Sequence, residues 1–125
     1  MIRVVSQLFG GVRQWLKRLA ARFDWPPRLQ LVRTEELPER LSPSHIYIVG
    51  ERGEDWFAAM SCPCGCGATI DLNLVPPGRP CWTLTIHPDG SPTLSPSVWR
   101  RVDCRAHFFV RRGQIVWARE SNGAR

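Results

Sequence analysis

Cys62-Pro63-Cys64-Gly65-Cys66-Gly67 packs three thiols into five residues, and Cys104-Arg105-Ala106-His107 adds a Cys/His pair downstream. Thiolate and neutral imidazole are the common ligands of tetrahedral zinc, so the two clusters read as halves of one divided metal site. The five candidate ligands, Cys62, Cys64, Cys66, Cys104 and His107, exceed the four positions available. The spacing favours Cys64 and Cys66 with Cys104 and His107, leaving Cys62 as the substitute. Glycines at 65 and 67 let the backbone close around the sulfurs. Iron–sulfur ligation by the same thiols is the lesser alternative. Cys81, between Pro80 and Trp82, reads as a buried thiol outside the site.

A zinc with four protein ligands holds a fold, whereas a catalytic zinc keeps one position for water and has a base nearby. The groups available for such a base are Glu51, Glu54, Asp55, His45 and His87, and none stands at a spacing that demands catalysis. The residues therefore favour a zinc-binding accessory or interaction module. The alternative is a zinc-dependent hydrolase with Glu51 as its base. Ser97, in Pro96-Ser97-Val98-Trp99, offers a hydroxyl, but spacing alone assigns it no Ser/His/Asp arrangement.

The elements that position these clusters read as short strands. Among 125 residues, 43% apolar, eleven prolines and ten glycines punctuate alternating runs. That pattern predicts a mainly β chain: one zinc-centred domain of short antiparallel strands over 26–120, followed by a disordered tail over 121–125. His45-Ile-Tyr-Ile-Val49 and Asp55-Trp-Phe-Ala-Ala-Met60, joined through Glu51-Arg52-Gly53, predict a hairpin that delivers the cysteine cluster at its far end. Further strands are expected at 28–33, 68–74, 81–86 and around 93–94, with a final hairpin about 110–115. Trp99, Phe108, Phe109 and Trp117 are expected in the core around the metal.

Residues 1–25 differ from the rest. Val5, Leu8, Phe9, Val12, Leu16, Leu19 and Phe23 recur at helical spacing, opposite Arg3, Arg13, Lys17, Arg18 and Arg22. This predicts a basic amphipathic helix, weakened at Gly10-Gly11 and ended by Pro26-Pro27. Its apolar stripe could pack on the domain or a partner subunit, lie in an anionic membrane surface, or bind a partner as an arm.

Of the net charge of +6, residues 1–22 hold +5 and the remaining chain only +1. A nearly neutral body argues against nucleic acid as a partner. Charges scattered through the first 22 residues interrupt any signal-peptide apolar run, and five cysteines is an odd number, so a disulfide framework is not expected. The expected location is cytoplasmic, at a membrane periphery if the helix lies in a lipid surface.

Several motifs together carry a resemblance: Gly50-Glu51, Cys-Pro-Cys-Gly-Cys-Gly, Leu72-Asn73-Leu74, Trp82, Pro96-Ser-Val-Trp99 and Cys104-x-x-His-Phe-Phe109 followed by Arg-Arg-Gly-Gln-Ile-Val-Trp117. Over about residues 45–118 the chain resembles a bacterial family of unknown function. Its members are small Cys/His proteins often encoded beside ubiquitin-like modifiers and their E1-like and E2-like enzymes. The resemblance implies metal binding at Cys62–Cys66, Cys104 and His107. It also implies a protein partner, the modifier or its conjugating enzymes, with a metallopeptidase role in conjugation or its reversal as one option. The family pattern commonly has Ser just before that His; Ala106 stands there in this chain.

Overall fold

A computed structural model describes residues 25–119. The helix expected over 1–25, apart from Trp25, and the tail over 121–125 lie outside the described residues. Two four-stranded sheets make up the rest. The first contains β1 (Gln30–Thr34), β2 (His45–Glu51), β3 (Glu54–Ser61) and β4 (Thr69–Asn73), and the second β5 (Thr83–Ile86), β6 (Pro92–Trp99), β7 (His107–Arg111) and β8 (Gln114–Trp117). Each sheet keeps its strands in chain order. Among the described residues no helix is long and apolar enough to cross a membrane.

The pairing is antiparallel except between β1 and β2, which run parallel with Gln30 opposite His45 and Thr34 opposite Val49. Alternation reports which residues face inward but not strand direction, so sequence pattern alone does not distinguish this pairing. β1 is also tied to the second sheet, since the Leu29 amide donates to the Gly113 carbonyl in the β7–β8 turn.

One apolar cluster draws on both sheets. Ile46, Ile48, Ala58, Met60, Ile70 and Leu72 contribute from the first, and Leu94, Val98, Phe108 and Val110 from the second. Cys62 and Ala106 belong to the same cluster and are themselves buried. The hairpin expected to deliver the cysteines does so: β2 and β3 pair antiparallel, and β3 ends at Ser61 immediately before Cys62.

Trp99 corrects an expectation. It is 51% exposed rather than in the core, whereas Phe108 is fully buried. Trp99 lies directly opposite His107 in the β6–β7 register. Neighbouring Val98 and Phe108 take the inward face, so Trp99, His107 and Phe109 fall on the outer one.

Candidate active site and metal centre

Two turns bring the cysteines together. After β3, the Gly65 amide donates to the Cys62 carbonyl and the Cys62 amide to the Ala68 carbonyl, closing a tight knuckle. Gly65 and Gly67 both adopt φ +87°, a conformation costly for residues with a Cβ. The loop between β6 and β7 supplies Cys104, flanked by Asp103 and Arg105, which also have positive φ.

The sulfurs of Cys62, Cys64, Cys66 and Cys104 all lie within 4.8 Å of one another. Cys62 Sγ is 3.4 Å from Cys64 Sγ and 3.6 Å from Cys104 Sγ. Four thiolates about 2.3 Å from a central zinc stand about 3.8 Å apart, so this grouping suits a tetrahedral ion. Four close cysteines could thus hold a metal ion. Cys62, expected as the substitute, is inside the group, while His107 is not a member of it.

Electrostatics at the group match that use. Burial pushes the Cys62 thiol up to about 12 and raises Cys64 as well. Cys66, on the exposed side, is lowered to about 7, chiefly by a hydrogen bond from the Ala68 backbone. Arg100 donates to Cys104 Sγ at 3.2 Å and to Cys66 Sγ at 3.4 Å. Its guanidinium is raised above its ordinary range, first by Cys62 and also by the charge of Cys104. A cation among the sulfurs would supply the positive charge that protons supply when buried thiols stand alone.

A Cβ on Gly67 would meet nothing within 4 Å, so the cost of Gly67→Ala is conformational alone. The variant is expected to lose about 1–2 kcal/mol in chemical denaturation of the metal-loaded protein, without loss of metal stoichiometry.

His107 has a different partner. Its Nε2 is 2.9 Å from Ser97 Oγ. Trp99 and His107 are paired across β6 and β7, and Ser97 stands two residues earlier on β6, so Ser97 and His107 are diagonal neighbours on one face. The register shifts between Leu94 and Val98, within Ser95-Pro96-Ser97. Proline cannot donate to the ladder, and a bulge of this kind re-aims the side chains beside it. The Trp82 indole pins the bulge by donating to the Ser97 carbonyl at 3.2 Å.

The imidazole is held flat. Trp99 stacks on it at 4.8 Å between centroids and 10° between planes, and Phe109 lies at 6.2 Å and 29°. Its Nδ1 is buried. Ser97 is the residue at this contact that sequence reasoning left unassigned. The usable signal was a serine in a proline-broken strand run whose antiparallel partner begins with histidine.

The remaining candidates lie elsewhere. Glu51 is paired with Glu54 at the start of β3, and the cysteines follow that strand's other end, roughly 25 Å away at about 3.3 Å per residue. Asp55 is ion-paired with Arg33, His87 Nε2 is 2.7 Å from Thr93 Oγ1, and His45 packs edge-on against Tyr47. Cys81 is half-buried, with Sγ 3.8 Å from the Trp82 carbonyl oxygen.

Ala106 is completely buried, facing the core while His107 faces Ser97. Strand alternation sends neighbouring side chains to opposite faces, so a hydroxyl at 106 would point away from the imidazole.

No curated protein and no solved structure shows significant similarity to the chain. A family model, by contrast, matches residues 33–118, a span that includes the four cysteines, Ser97 and His107. That model describes a bacterial ubiquitination-like system serine protease, BubE, and with more than half of the sequence matched, the chain belongs to this family.

Proposed function

We propose that the chain is a serine peptidase of a bacterial ubiquitination-like system, with Ser97 as nucleophile and His107 as general base. The 2.9 Å approach of Ser97 Oγ to His107 Nε2 carries this reading. Such a contact is the minimal unit of activated-serine chemistry, and it gives the hydroxyl a role that an accessory module would not need. The family description supports the same reaction class.

With the proton on Nδ1, Nε2 accepts from the serine hydroxyl. As Oγ attacks the carbonyl carbon joining modifier to target, its proton passes to Nε2. The imidazolium then protonates the leaving group as the tetrahedral intermediate collapses to an acyl-serine. Water, deprotonated by the same nitrogen, attacks the ester and releases the modifier's carboxylate and Ser97. Trp99 and Phe109 hold the ring plane, so little reorientation is needed between the two proton transfers.

Cys62, Cys64, Cys66 and Cys104 would hold zinc, as soft thiolate ligands in a tetrahedral set favour. The bound ion supplies structural cross-linking: it ties the knuckle after β3 to the loop carrying Cys104. That loop joins Trp99 to His107, so ligation at Cys104 fixes the span between nucleophile and base. Arg100 reinforces it from within, donating to two sulfurs while its amide donates to the Ala106 carbonyl.

Inhibitor selectivity tests the reading against the zinc-hydrolase alternative. Cleavage of a modifier–target conjugate should be abolished by a fluorophosphonate in proportion to serine labelled. A hydroxamate zinc ligand at concentrations that leave the metal bound should change the rate less than twofold. Hydroxamate inhibition with fluorophosphonate resistance would establish the alternative instead.

A further inference from the structure

The outer face of the second sheet carries more than the serine and its base. Arg101 lies over the Trp99 ring at 4.6 Å, Trp99 stacks on His107 at 4.8 Å, Phe109 follows at 6.2 Å, and Arg111 lies over Phe109 at 4.3 Å. A row of cation, ring, imidazole, ring and cation therefore passes through the site. Summed along these contacts, the Arg101 guanidinium is at most about 10 Å and the Arg111 guanidinium at most about 11 Å from the imidazole, the reach of about three extended residues. At the Trp99 end, Trp99, Arg101 and Arg105 also line a shallow recess of about 300 Å³.

Trp99 is 51% exposed, and Arg101, Arg105 and Arg111 are exposed too. The ion pairs among the described residues engage Arg33 and Arg100, which leaves these three arginines without a carboxylate in such a pair. Ring stacking restricts where the Arg101 and Arg111 guanidiniums can go while leaving their N–H edges able to donate. Cations pre-positioned over aromatic rings favour a carboxylate-bearing chain laid across the sheet.

We propose that this row is the substrate-recognition surface, and that it selects an extended acidic peptide segment with a carboxylate about three residues to each side of the cleaved bond. The inference rests on the peptidase reading of Ser97 and His107 and adds what that pair acts upon. Arg101, with Arg105, takes one carboxylate and Arg111 the other. The aromatic rings carry the intervening backbone past the serine.

The test measures binding separately from cleavage, using the zinc-loaded full chain carrying Ser97→Ala. Fluorescein-labelled Gly/Ala octapeptides with two Glu residues six positions apart are compared with peptides carrying Gln or Lys at those positions. The Glu peptide should bind about fivefold more tightly per carboxylate than the Gln peptide, with the preference weakening as salt rises. Arg101→Gln and Arg111→Gln should each remove one carboxylate's share and leave Gln-peptide binding unchanged. Arg101→Glu should transfer the preference at one end to Lys.

Equal affinity for Glu and Gln peptides would overturn the proposal, as would equal losses for both peptides in the arginine variants. So would tighter binding of a single-stranded oligothymidine of matched charge, which would assign the row to nucleic acid. Wild-type cleavage of a modifier conjugate tests the peptidase reading alone: binding with this pattern but no cleavage would remove that reading and leave the surface.

Discussion

Ser97→Ala should lower kcat for conjugate cleavage by about 10⁴-fold or more, with KM little changed, because the hydroxyl is consumed in bond formation rather than in holding substrate. His107→Ala should fall by a similar factor. The double variant should be no worse than either single one, since nucleophile and base act as one unit and losing either removes the whole route. The buried position of Ala106 adds a sharper form of the same expectation. Adding Ala106→Ser to Ser97→Ala should restore nothing, because a hydroxyl at 106 lies on the core side of β7's first residue while Nε2 faces the other way. Stopped assays with purified conjugate and gel quantitation would read all four variants. Recovery of activity by Ala106→Ser would move the nucleophile and refute the assignment of Ser97.

Removal of the metal should be nearly as severe, through the fold rather than through the reaction. The small domain has a stability of about 5–15 kcal/mol at most, and a structural zinc contributes about 10–16 kcal/mol of binding free energy that exists only when the site is folded. Chelation, or Cys104→Ser, should therefore cost most of the native structure, seen as loss of dispersed amide signals, with cleavage lost in parallel. Returning zinc to the chelated wild type should restore both. Cadmium, which accepts four thiolates, should restore the fold with kcat within about threefold, since ligation by all four sulfurs would leave no position at the ion for water or substrate. Cadmium-refolded protein that is native yet inactive would show that the ion takes part in the reaction.

The cysteine pattern was readable because its information is local. Cys62, Cys64 and Cys66 share one knuckle whose glycines announce the turn, and Cys104 sits in a loop bounded by strand signals. Which of five donors stand together was not local. His107 opens β7, and its side-chain direction follows from pairing with Trp99, a register that alternation within either strand leaves undetermined. Ser97 was obscured for the same reason: ten residues separate it from His107, and the register shift across Pro96 interrupts the alternation along β6 from which its face would be read. Trp99 was expected inside because large aromatics usually are; on this sheet it covers the imidazole instead. The parallel β1–β2 pair likewise depends on a connection whose path no residue pattern records.

Mass-spectrometric mapping of the chain after fluorophosphonate treatment puts Ser97 and His107 to the plainest test. A single phosphonyl adduct is expected, localised to Ser97 and absent from His107→Ala despite native metal content and fold. An adduct on another residue, or labelling of Ser97 that persists without His107, would contradict that assignment.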